Sequence, residues 1–294
     1  MTVVAPVVAP PERLGTSRMP DGRRLAWAEW GPADGIPVLL CPGGATSRRL
    51  GFGTEAVHAL GVRLVSADRP GLGSSDPAPG RTLADWPDDV CALAADLGLG
   101  LDGLRVVGCS QGVPFALACA ARGIATATVV VSGGPDMTLM SAYLAPEIRA
   151  MVEAVAADPS AAEAAFAAGA DAEAIWAMVT GSCAAPDRAL FGTPSFAAAY
   201  REALAEGFAQ GPSGYARDTV LTMGRWPFDV EGITGPVDLW HGGLDTSMFH
   251  SPESGAALAE AIPTARRHVV AEAGGLVLWT HGERILRELV GKVA

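Results

Sequence analysis

Short apolar runs recur along the chain and alternate with longer stretches of helical period. Residues 37–41, 62–67, 104–107, 125–131 and 237–241 have no polar face, the pattern of strands buried on both sides. Residues 55–60, 83–97, 113–121, 218–223, 252–262 and 276–289 carry the helical period, and 267–271 forms a last strand. At the N-terminus, 13–19 and 23–30 predict two strands joined at Pro20-Asp21-Gly22. Strands that alternate with helices predict an α/β fold, a mostly parallel sheet covered by helices on both faces. Between Asp136 and Ala209 the alternation stops. Alanine-rich helical segments fill 147–157, 161–168, 172–179 and 196–209 with no strand between them. The expected organisation is a core over 1–135, a helical cap or lid over 136–215 after the sixth strand, and the rest of the core over 216–294. The same helices could instead pad one side of the sheet.

Within this pattern, one stretch stands out. Leu104 to Val107 leads into Gly108-Cys109-Ser110-Gln111-Gly112 and then an apolar helix. A serine on a tight strand-to-helix turn needs glycines on either side, because the chain folds back on itself there. That turn leaves a hydroxyl exposed at the sheet edge, with helix N–H groups beside it. Pro42-Gly43-Gly44 follows the third strand and can leave backbone N–H groups free. The glycines of 68–76 lack the third glycine of a dinucleotide fingerprint, since Asp76 stands there, and no helix opens behind them.

Composition narrows the setting. The 294 residues are 49% hydrophobic and 18% charged, enough apolar content for a large core. A net charge of −11 argues against nucleic acid or an anionic membrane as partner. The five cysteines have no disulfide or zinc spacing. Residues 1–11 lack the basic start of a signal peptide and read as a loose arm. No apolar run is long enough to span a bilayer. A cytoplasmic protein that needs no cofactor and acts on a small apolar molecule is expected. Its oligomeric state is open.

Pro42-Gly43-Gly44, the run Asp68-Arg69-Pro70-Gly71-Leu72-Gly73-Ser74-Ser75, the turn at Ser110 and His241-Gly242-Gly243-Leu244-Asp245 occur in the order found in the α/β-hydrolase superfamily. Over nearly its full length the chain resembles that superfamily, in the branch of prolyl iminopeptidases, esterases and lactone or epoxide hydrolases. The resemblance implies an α/β-hydrolase fold. It implies Ser110 as nucleophile and Asp245 as the acid that orients a histidine. It also implies an oxyanion hole from the N–H of Gln111 with that of Gly43 or Gly44. Epoxide hydrolase or dehalogenase chemistry would need a carboxylate at position 110.

Two departures stand out. Cys41-Pro42 replaces the usual His-Gly, which reshapes the first oxyanion loop. By the same alignment the catalytic histidine position is Gly275, either a substitution or the loss of the usual base. A serine hydroxyl is a poor nucleophile until a neighbour takes its proton. Of the five histidines, His58 lies on an early helix, His241 ends a strand, and His268 is inside one. His281 lies about 9 Å along the final helix from Gly275. His250, in the loop after Asp245, is the best placed to serve. Asp136 and Asp218, flanking the lid, are acids near the site or helix caps, and read better as caps. Trp176, Met178, Phe191, Phe196 and Tyr200 give the lid an apolar face suited to a hydrophobic small molecule, or to packing on the core.

Two functions follow. In the first, Ser110, Asp245 and a relocated base hydrolyse an ester, lactone or related acyl group. In the second, a hydrolase-like protein without the standard base binds a small ligand or catalyses cyclisation, isomerisation or elimination. A purely structural role has no positive feature behind it.

Overall fold

The chain begins with a hairpin, β1 (Arg13–Arg18) and β2 (Arg24–Trp30), in a computed structural model that describes residues 8–140, 144–250, 253 and 255–291. The alternating part follows: β3 (Ile36–Cys41), β4 (Val62–Ala67), α1 (Trp86–Leu97), β5 (Arg105–Cys109), α2 (Val113–Ala121) and β6 (Ala127–Val131). Six helices come next: α3 (Pro146–Ala157), α4 (Pro159–Ala168), α5 (Ala172–Gly181), α6 (Ala185–Phe191), α7 (Pro194–Gly207) and α8 (Ser213–Met223). The chain closes with β7 (Val237–Gly242), α9 (Ala256–Ala261), β8 (Ala265–Val270), α10 (Val277–Thr280) and α11 (Gly282–Val290). The expected N-terminal arm falls mostly outside the described residues.

The strands form one sheet in the order β1-β2-β4-β3-β5-β6-β7-β8. β1, β2 and β4 pair antiparallel, and from β4 onward every pair is parallel. This is an α/β-hydrolase fold. Alternate side chains of each strand feed two cores. Leu39, Val65, Val106 and Val130 pack with α1, α2 and α9 on one face. Val38, Leu64, Val107 and Val129 pack with α10, α11 and residues of α5 to α7 on the other. From β3 the chain adds β4 on one side and β5 on the other. That reversal makes the carboxyl ends of β3 and β5 the place where a crevice opens.

Three expectations are corrected, and one helix went unseen. Residues 55–60 form turns rather than a helix: the segment is short, and glycines with positive φ, Gly53 and Gly61, bound it. The C-terminal helix breaks at His281, with φ −126° and ψ 17°, where Gly282 packs on Gly53; a Cβ at Gly282 would lie 2.9 Å from the Gly53 nitrogen. Helix α6 was not legible, being only seven residues long, with a proline at its start and no repeated apolar period. Asp218 does not cap a helix. It lies inside α8, fully buried, and binds the guanidinium groups of Arg69 and Arg81. Asp136 does act as a cap, accepting from Thr138 N–H and also from Trp226 N–H. Among the described residues no helix is long and apolar enough to cross a membrane.

Candidate active site

At the end of β5, Ser110 has a φ of 50°, the left-handed region that non-glycine residues rarely adopt. Both flanking glycines are needed to hold that turn. A Cβ at Gly112 would lie 2.0 Å from the Cys41 carbonyl oxygen, and one at Gly108 would lie 2.8 Å from Val113 Cα. The serine hydroxyl therefore stands clear of the sheet. It faces a cavity of about 220 Å³.

His250 reaches this hydroxyl. Its Nε2 is 2.9 Å from Ser110 Oγ, and its Nδ1 is 2.7 Å from Asp245 Oδ2. Local turns bring the ring back. Asp245 Oδ1 accepts from Ser247 N–H at 3.0 Å, and His250 N–H donates to Ser247 O at 3.2 Å. Burial pushes the Asp245 carboxyl up, but the hydrogen bond and charge of His250, with the Ser247 N–H, outweigh it and hold it below the usual range. An ionised Asp245 requires the proton on Nδ1, which leaves the Nε2 lone pair facing the Ser110 hydroxyl. Such an arrangement can take a proton from the serine and hold it on an oriented imidazole.

The loop after β3 faces the same point. Arg69, fully buried, donates to Pro42 O at 2.7 Å and Gly43 O at 3.2 Å, and binds Asp218 at 2.6 Å. In a trans peptide the N–H points opposite to the C=O. Fixing those two carbonyls on Arg69 therefore turns the N–H groups of Gly43 and Gly44 the other way. Gly43, Gly44 and Gln111 all line the cavity. Cys41 and Pro42, in place of the usual pair, lie buried behind this loop.

The other histidines do not reach Ser110. His58 is exposed beside Glu12, and His268 stacks on Trp240 and binds Asp238. His281 contacts Thr280 Oγ1 and does not line the cavity. His241 is buried beneath the loop that carries Asp245, its Nε2 unbonded among the described residues, and burial pushes it down to about 4.

Gly275 lies beside Asp245. A Cβ there would sit 3.0 Å from Asp245 Oδ1. Its neighbour is a residue the sequence did not single out, Asp187 of α6. The Asp187 carboxylate accepts from Gly275 N–H at 2.7 Å and Leu276 N–H at 3.0 Å. The only sequence signal was an acid just after Ala-Pro, suited to a helix N-terminus.

Met178, Phe191 and Tyr200 line the cavity, whereas Trp176 and Phe196 pack behind them. Met137, Met223 and Met248 add flexible apolar surface. Among the described residues no arginine or lysine lines it.

The model of the alpha/beta hydrolase family matches residues 38–288. A non-heme chloroperoxidase from Streptomyces lividans is 32% identical over 134 residues, 44% of this chain and 48% of that protein, so the chain spans about half the length of this curated relative. An esterase from a Rhodococcus species shares the fold with a TM-score of 0.67 at 20% identity, over 96% of this chain and 99% of its own. An enol-lactonase from Burkholderia xenovorans gives 0.63 at 18% identity, over 94% and 98%.

Proposed function

Because this chain belongs to the alpha/beta hydrolase family, we propose that it hydrolyses an ester, lactone or related acyl bond of a small apolar molecule. Ser110 attacks the carbonyl carbon while His250 Nε2 takes its proton. The new C–O bond converts the carbonyl into a tetrahedral oxyanion, which the N–H groups of Gln111 and of Gly43 or Gly44 stabilise. Asp245 holds the Nδ1 proton and balances the charge on the imidazolium. The proton then passes to the leaving alkoxide, and the acyl chain rests on Ser110. Water, deprotonated by the same imidazole, releases the acid. The helices between β6 and β7 form a lid over this chemistry and supply an apolar wall that, among the described residues, carries no cationic side chain.

The observation that carries this reading is the 2.9 Å contact between Ser110 Oγ and His250 Nε2. It weighs against the non-hydrolytic alternative, whose motive was the absence of the standard base at Gly275. The names of the esterase and enol-lactonase with this fold favour acyl hydrolysis as well. The test is turnover of a short-chain p-nitrophenyl ester, with labelling of the serine by a fluorophosphonate. Wild-type protein should do both, and Ser110→Ala should do neither. Labelling at the wild-type rate in His250→Ala would exclude His250 as the base.

A further inference from the structure

Asp187 is an expensive residue to keep where it is. Only 5% of its surface is exposed, and among the described residues it has no arginine or lysine partner. Burial pushes its carboxyl above the usual range, against the pull of the Leu276 and Gly275 N–H groups. An apolar side chain would fasten a lid to the core at lower cost. What the carboxylate adds is a fixed position for the turn after β8. Gly274 and Gly275 lack side chains just where carboxylates stand. A Cβ at Gly274 would lie 2.2 Å from Asp187 Oδ2, and one at Gly275 would lie 3.0 Å from Asp245 Oδ1. The turn is thus pressed between two carboxylates. Its other contacts pin it further: Ser132 Oγ donates to Gly275 O at 2.8 Å, and Leu244 N–H donates to Ala273 O at 2.9 Å.

We propose that Asp187 is a positioning residue: by gripping the Gly275 and Leu276 amides it holds the Gly275 turn against Asp245, so that the lid sets the geometry of the acid and base. In a chain with glycine at 275, nothing covalent on that turn orients the imidazole. Asp245 needs a firm backing if it is to keep His250 on Ser110, and the Asp187 grip provides it. This proposal rests on the reading of Ser110, His250 and Asp245 given above.

The test uses the full chain. Asp187→Asn keeps the shape but offers one acceptor oxygen for two N–H groups. It should lower kcat for a short p-nitrophenyl ester about tenfold to a hundredfold, with KM changed less than about twofold, as a misplaced catalytic group does. Gly274→Ala, which leaves the charge and displaces the carboxylate, should give the same split. Asp171→Ala is the control: it removes the N-cap of α5 in the same lid, where Asp171 accepts from Ala174 N–H. It should lower the melting temperature and leave kcat alone. Should Asp187→Asn fold poorly, Gly274→Ala carries the test. Wild-type kcat in either variant would overturn the proposal, as would a kcat loss matched by Asp171→Ala. Fluorophosphonate labelling separates the two claims. If His250→Ala labels slowly while Asp187→Asn labels at the wild-type rate, the positioning role alone fails. If His250→Ala labels at the wild-type rate, the base assignment fails and takes this proposal with it.

Discussion

Two neighbouring strands each send a loop toward Ser110, and the loops are built differently. The loop after β7 carries both Asp245 and His250, five residues apart and joined by a 2.7 Å hydrogen bond. The turn after β8 brings no titratable side chain to the cavity: Glu272 is exposed, and Ala273, Gly274 and Gly275 follow it. In the pattern the chain resembles, the acid and the base are shared between these two places. In the proposed mechanism the first has both, and the second serves as a backing. The difference teaches that the sheet fixes where the hydroxyl stands, but not which loop must bring the imidazole. Any loop that ends within hydrogen-bond reach of Ser110 meets the chemical requirement.

The largest test of this contrast removes the first loop's contribution. His250→Ala should cost about a million-fold in kcat, as should Ser110→Ala, since such residues act as a unit. Ester turnover measures both, and a small loss in His250→Ala would return the base to another group. Asp245→Asn should cost about 10⁴-fold, because it destabilises the tautomer that leaves Nε2 free.

The footing of that loop can be probed through stability. His241 is the last but one residue of β7 and is kept neutral by burial, pushed down to about 4. The unfolded chain binds that proton near pH 6.5, above the folded value. Stability is therefore complete above pH 6.5 and falls as the pH drops toward 4, by at most about 3 kcal/mol. His241→Gln should flatten this dependence, read as the urea midpoint across that range. An unchanged slope would show that His241 is not the group responsible.

The smallest expected effect has the most telling sign. Gly275→His puts an imidazole where the family pattern has one. Yet its Cβ would press on Asp245 and on a turn already gripped by Asp187. We expect about a tenfold loss of esterase activity rather than a gain. A rise in kcat would mean that the second loop still holds a working position and that His250 is not the base.

Much of the frame was legible in advance. The continuous apolar runs at Val38 to Cys41 and Val106 to Val107 marked buried parallel strands, because such strands need no polar face. Gly108 and Gly112 marked the turn at Ser110, because a Cβ at either would strike backbone or helix atoms. His250 could be named as the best-placed histidine but not connected, since its reach depends on how Ser247 turns the chain. Helix α6 left no periodic signal, so Asp187 was out of sight.

What the amino-acid order determined by itself was therefore local: strand and helix periods, the strained serine turn, and a glycine where a histidine was expected. Those features depend on steric limits and side-chain spacing within a few residues. Tertiary structure decided the rest. The 2.9 Å approach of His250 to Ser110 and the grip of Asp187 on Gly275 join residues 140 and 88 positions apart. Such contacts depend on how the strands are ordered and how the inserted helices fold back over the sheet. No period along the chain encodes that.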